Sequence, residues 1–195
     1  DAPRLAARDG LKAVDLFRAV EDGRVKAVWI MATNPAVSLP DTGQVRRALA
    51  ACDCVIVSDC MAATDTMAFA DIRLPALAWG EKSGTVTNSE RCISRQSPFL
   101  EEPGEARPDW WILSQFAIRM GYAGFEYENP AQVFAEHAAL SAFENNGNRD
   151  FDLSGLCGLA EQDYDDLAPR QWPVRPNGDS QQRMFTDGRF FTASG

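Results

Sequence analysis

Residues 25–31 read VKAVWIM and residues 54–57 read CVIV. Both are short apolar runs rich in strand formers, of the kind buried on both faces of a parallel sheet. Between them Asp41 precedes residues 42–51, where Val45 and Leu49 stand at an i,i+4 spacing. A helix over 42–51 with Asp41 as its N-cap is the expectation. Upstream, Leu11, Val14, Leu16, Phe17 and Val20 give a mostly helical spacing over residues 11–20, and Gly23 supplies the stop. Helix, strand, helix and strand thus follow one another before Cys60, which is the pattern of a βαβ unit.

Working outward, residues 32–41 (ATNPAVSLPD) hold two prolines and read as a loop. Residues 62–70 read weakly as a short helix. Residues 72–74 are a third short apolar run stopped by Pro75, and strand-forming pieces stand at 85–87 and 92–94 in a glycine-punctuated loop. Pro108 opens a helix to about Met120, closed by Gly121. Pro130 opens another to about Phe143, terminated by Asn145, Asn146 and Gly147. Beyond it, Pro169, Pro173, Pro176 and Gly178 mark an irregular crossing segment. Residues 184–186 and 189–192, on either side of Asp187-Gly188, read as a hairpin with a two-residue turn. The predicted fold is α/β: a Rossmann-like three-layer αβα domain with a mainly parallel sheet, plus a C-terminal irregular extension and hairpin.

Composition limits the function. With 195 residues, 45% hydrophobic and 24% charged, the chain is neither disordered, collagen-like nor a coiled coil. A net charge of −9 excludes neutralisation of many nucleic-acid phosphates but leaves room for a single nucleotide held by local groups. No apolar run approaches the roughly 18 residues that suggest a membrane span, and no signal-peptide pattern opens the chain. It begins at Asp1 rather than Met, as a processed or trimmed chain would. Five irregularly spaced cysteines do not make a secreted disulfide framework, so a reducing cytoplasm is the expected location.

The candidate site follows from the strand ends, because ligands of open α/β sheets sit beyond the carboxyl ends of the strands. The first strand delivers Asn34 there and the second delivers Ser58 and Asp59. Asn34 can donate and accept, whereas ionised Asp59 only accepts, which suits ribose hydroxyls or the adjacent donor pair of guanine. A plainer reading has Asn34 serving a turn and Asp59 capping the next helix. Lys82, beside Gly84, suits a phosphate as a point charge, or is a solvated loop lysine. Asp109 suits a ligand contact, or the first turn of a helix favoured by the macrodipole. No GxGxxG is present. Cys52, Cys54 and Cys60 match no trusted metal-site spacing, and His137 lacks an identifiable nucleophile and orienting partner. Phe116, Tyr122, Phe125, Tyr127, Phe134 and Phe143 read as core packing.

Three segments, VWIMATNPAVSLPD (28–41), ADIRLPALAWGEKSGTVTNSER (70–91) and PGEARPDWWIL (103–113), resemble the prokaryotic molybdopterin oxidoreductases in order and separation. The later segments FAEHAALSAFENNGNRDFDLSGL, QWPV and RMFTDGRFFT are most similar to the catalytic subunits of the assimilatory nitrate reductases of that family. The resemblance implies a domain over residues 1–168 that binds one of two molybdopterin guanine dinucleotides of a molybdenum cofactor. Residues 169–195 are then a linker and hairpin leading to a further domain. It implies an iron–sulfur cluster and the molybdenum ligand upstream of this region, with the other domains of the same chain, an electron-donor protein and nitrate as partners. Asn34, Ser58, Asp59, Lys82 and Asp109 match motif positions near the dinucleotide, with Asp59 and Asp109 on the guanine side. No residue here is assigned direct chemistry or metal ligation. Cys92 stands where the family pattern implies a second arginine after Arg91. A formate dehydrogenase of the same family, or a non-catalytic α/β nucleotide-binding module, is the alternative.

Overall fold

The protein is described by a computed structural model covering residues 6–176 and 183–195. It forms two compact units, Asp1–Glu81 with Leu100–Glu126 and Lys82–Phe99 with Tyr127–Gly195. They interleave along the chain, so no single cut in the sequence separates them.

Unit one contains α1 (Ala13–Glu21), β1 (Ala27–Met31), α2 (Pro35–Ser38), α3 (Thr42–Ala51), β2 (Cys54–Asp59), β3 (Ile72–Pro75) and α4 (Asp109–Arg119). The sheet order is β1-β2-β3 with both pairings parallel, as the two apolar runs predict. Side chains alternate across a strand. Val28 and Ile30 of β1 and Val55 and Val57 of β2 therefore share one face, packed against Phe17 and Val20 of α1 and Val45, Ala48 and Leu49 of α3. Each fully buried aliphatic side chain in this cluster contributes about 1.5–3 kcal/mol. On the opposite face the Trp29 ring meets Phe116 of α4 edge-on, centroids 5.0 Å apart. Helices thus cover both faces, and unit one has the expected three layers.

The caps explain the element ends. Asp41 Oδ1 accepts the Gln44 N–H at 2.9 Å, satisfying an otherwise orphaned donor at the start of α3. Gly23, at φ 72°, turns the chain out of α1 in the left-handed region that glycine enters without strain. Gln44 Nε2 donates to Glu21 Oε2 at 2.8 Å and Arg47 Nε to Glu21 Oε1 at 2.8 Å, tying α3 to α1. These two bonds, Gln44's first, hold the Glu21 carboxyl below its ordinary range. The expected loop at 32–41 contains a helical turn instead. Pro35 at the first position is preset for a helix, and the Val37 and Ser38 N–H groups both reach Asn34 O at 3.0 Å. The weak helix expected over 62–70 is reduced to a 3₁₀ turn, Met67–Phe69.

Unit two carries β4 (Gly84–Thr87), β5 (Cys92–Gln96), α5 (Pro130–Ala142), α6 (Glu161–Asp165) and β6 (Arg170–Gln171). Its sheet, β4-β5-β6, is antiparallel, so the 85–87 and 92–94 pieces pair with each other rather than extending the parallel sheet. Ile93, Phe134, Ala138, Leu153, Leu156, Tyr164 and Leu167 form its core. The crossing segment expected from Pro169 begins by adding β6 to this sheet; Gly178 lies outside the described residues.

Two further expectations are corrected. Residues 184–192 form turns without strand pairing. A two-residue primed turn needs positive φ at both central positions, but here positive φ falls on Phe185 and Gly188 and not on Asp187. Phe185 instead stacks on Phe190 at 4.9 Å, and an isolated hairpin with no third strand is only marginally stable. Of the six aromatics read as core, only Phe134 is buried, at 5% exposure, while Phe143 is 65% exposed and Phe116, Tyr122 and Phe125 are also exposed. The inward stripe of each helix is carried by smaller side chains beside a single larger one, Ile112, Ser114 and Ala117 in α4 and Phe134, Ala138 and Ser141 in α5. Among the described residues no helix is long and apolar enough to cross a membrane.

Candidate functional site

The carboxyl ends of β1, β2 and β3 meet along one edge of unit one. The register aligns Met31 with Ser58 and Asp59 with Pro75. Just past β3, Ala76 pairs in parallel with Arg107: Leu77 N donates to Arg107 O and Arg107 N to Pro75 O, each at 3.1 Å. That isolated bridge lies beyond the three strands of the sheet. It places the start of α4, at Asp109, on the same edge, about two strand spacings or ~10 Å from β2. The structure therefore brings Asn34, Ser58, Asp59 and Asp109 to one edge. Lys82 belongs to unit two.

Asp59 is half-buried. Its backbone O accepts the Ala76 N–H at 3.0 Å and its Oδ1 accepts the Met61 N–H at 2.9 Å, closing a turn rather than capping a helix. Among the described residues Oδ2 takes no hydrogen bond. Asn34 does not cap α2 with its side chain. Its Oδ1 instead accepts from Thr66 N at 3.1 Å and Thr66 Oγ1 at 2.6 Å. Ser58, 1% exposed, accepts the Trp29 indole N–H through Oγ at 2.8 Å. Asp109 lies in the first turn of α4, where the macrodipole favours a carboxylate.

In unit two, Lys82 O accepts from Gln96 Nε2 at 3.2 Å. The next residues are held by Arg95, which donates to Ser83 Oγ at 2.8 Å and Gly84 O at 3.1 Å. Arg95 is fixed in turn by Asp165 Oδ1 at 2.7 Å and by the face of Tyr164, 4.6 Å from its guanidinium carbon. Burial pushes the Tyr164 hydroxyl above its ordinary range, against the opposing field of Arg95.

Two residues of the edge were missed by sequence reasoning. Ala32, at φ 54°, holds a left-handed conformation directly after β1 while its N–H reaches Ser58 O at 3.1 Å. Such strain in a non-glycine residue costs about 1–3 kcal/mol and clusters at functional edges; an alanine carries no signal of it. Thr66 is reached only through the fold. The cysteines are all free thiols. Cys52 Sγ lies 3.5 Å from Lys26 O and 3.4 Å from Cys54 O, and burial raises the Cys157 thiol. His137 packs on the Phe151 ring at 5.5 Å.

Residues 3–119 match the family model described as molybdopterin oxidoreductase. The chain belongs to the molybdopterin oxidoreductase family. All five expected site residues lie inside the matched span. A nitrate reductase of Klebsiella oxytoca is 58% identical over 88% of this chain and 20% of its own length. A nitrate reductase of Shewanella frigidimarina is 47% identical over 98% of the chain and 21% of its own length. The chain thus spans about a fifth of the length of these relatives. A protein described as putative formate dehydrogenase YrhE from Bacillus subtilis is 35% identical over 69% of the chain and 14% of its own length. Among solved structures, acetylene hydratase from Pelobacter acetylenicus superposes with a TM-score of 0.60 at 20% identity, over 81% of this chain and 20% of that one. That likeness shows a shared fold.

Proposed function

We propose that this chain binds and orients the guanosine half of a molybdopterin guanine dinucleotide, one of a pair around molybdenum, in a nitrate reductase that reduces nitrate to nitrite. One observation carries the reading. The carboxyl edge of a parallel sheet presents an acceptor, Asp59 Oδ2, with no hydrogen bond among the described residues, and the Asn34 amide follows the neighbouring strand on the same edge. That donor–acceptor set fits a nucleotide. Asp59 takes the guanine donor pair or a ribose hydroxyl, Asn34 supports the adjoining ribose–phosphate, and Asp109 adds a second guanine-side carboxylate. Ser58 anchors the end of β2, and Lys82 contributes a positive charge for a phosphate. The bound cofactor supplies the two-electron redox chemistry; the residues of this chain position it and set its electrostatics. The same reading includes an iron–sulfur cluster and an electron-donor protein serving the whole protein, and a cytoplasmic location.

The test uses the whole protein, hydrolysed in acid, with molybdenum and released GMP measured together. Asp59→Ala leaves a buried donor pair without its acceptor, a loss of about 1–3 kcal/mol, so GMP retention should fall. Unchanged GMP content and melting would remove Asp59 from the site. The formate dehydrogenase relative supports a second reading, in which the same domain serves formate oxidation; turnover of formate without turnover of nitrate would establish it.

A further inference from the structure

Thr66 is fully buried, 0% exposed, between the start of α2 and the Asn34 side chain. Its backbone N–H can only donate, so the Asn34 atom facing it at 3.1 Å must be the amide oxygen. Its hydroxyl accepts the Ala36 N–H at 3.1 Å, which commits the hydroxyl proton to the same Asn34 oxygen at 2.6 Å. Both donors thus converge on Oδ1. The amide cannot flip without setting its NH₂ group against two donors. Asn34 Nδ2 is left on the branch away from Thr66 and makes no hydrogen bond among the described residues. An asparagine, in principle donor and acceptor alike, is thereby reduced to a donor.

We infer that Thr66 is a positioning residue that gives the carboxyl edge a fixed polarity: Asn34 donates at the end of β1 and Asp59 accepts at the end of β2. A ligand must then place an acceptor oxygen, from the ribose–phosphate portion of the nucleotide, at Asn34 Nδ2 and a hydrogen-bond donor at Asp59 Oδ2. This rests on the nucleotide-binding reading above and adds the direction in which the nucleotide lies across the strand ends.

The experiment compares variants of the whole protein by GMP released per polypeptide after dialysis, alongside thermal unfolding of the same proteins made without cofactor synthesis. Asn34→Asp keeps an oxygen for both Thr66 donors but replaces the outward donor with an acceptor. It should lose nucleotide about tenfold faster while the cofactor-free protein melts as wild type does. Loss that deepens as salt is lowered marks a phosphate oxygen facing Asn34; loss independent of salt marks a ribose oxygen. Thr66→Val removes the hydroxyl and frees the amide to turn, lowering retention, and Thr66→Ser should restore it. Wild-type retention in Asn34→Asp, or failure of Thr66→Ser to recover over Thr66→Val, overturns the inference. A wild-type protein without GMP would instead sink the nucleotide reading itself, whereas loss in Asp59→Ala with full retention in Asn34→Asp would overturn the polarity alone.

Discussion

Ser58 stands at the carboxyl end of β2, and its hydroxyl accepts the Trp29 indole N–H. The half-buried Trp29 indole loses this acceptor in Ser58→Ala, which should destabilise unit one by about 0.5–1.5 kcal/mol, read as a lower urea midpoint at unchanged slope. Its neighbour Asp59 uses one carboxylate oxygen to close the Met61 turn, and the other takes no hydrogen bond among the described residues. Adjacent residues of one strand end thus divide the work, because successive side chains point to opposite faces of a sheet. Asn34 likewise divides its side chain, its oxygen taken by Thr66 and its nitrogen without a hydrogen bond among the described residues.

At the scale of elements, the segment holding the 3₁₀ turn Ser154–Leu156 depends on Asp152. Its backbone O accepts the Val174 N–H at 2.7 Å, Oδ1 accepts the Ser154 N–H at 2.9 Å, and Oδ2 faces Arg175 Nε at 3.4 Å. Burial works against the charged form, but the bonds from Ser154 and Arg175 outweigh it and hold the carboxyl below its ordinary range. A depressed folded value adds stability that is fully present above the unfolded value, about pH 4. That stability is lost as pH falls through the folded value. Asp152→Asn should therefore flatten the acid limb of unit two's stability below about pH 4, measured by urea unfolding at stepped pH; an unaltered limb would show that the carboxylate carries none of it. Gly155 shows how closely this segment packs. A Cβ there would meet the Arg175 carbonyl carbon and oxygen at 2.8 Å.

At the scale of the whole molecule, two separate clusters of buried side chains hold the two units. Leu49 is buried in the first, between α3 and the sheet, so Leu49→Ala should cost about 2–5 kcal/mol. Faster hydrogen exchange of the β1 and β2 amides would report it; unchanged protection there would mean that the cluster does not set the stability of the sheet. The net charge of −9 is spread over a surface that pairs many acids with arginines, as in Arg47 with Glu21 and Arg95 with Asp165. The exposed pairs order local geometry more than they add stability, being worth about 0–1 kcal/mol, whereas the Arg95 side chain is only 11% exposed.

The local chemistry of the chain determined the parallel sheet, the Asp41 cap, the helices opened by Pro108 and Pro130, and the strand ends bearing Asn34 and Asp59. Each depends on periodicity or capping within a few residues. Only the tertiary structure decided the rest. The antiparallel sheet of unit two gains β6, whose two residues carry no strand pattern of their own. The Asp187-Gly188 pair makes no primed hairpin turn, because positive φ falls on Phe185 and Gly188 and not on Asp187. The Ala76–Arg107 bridge just before α4, and the Thr66 bonds that orient Asn34, join residues some thirty positions apart. Hydrogen bonds of that span are set by which strands become neighbours, and no window of sequence contains both partners.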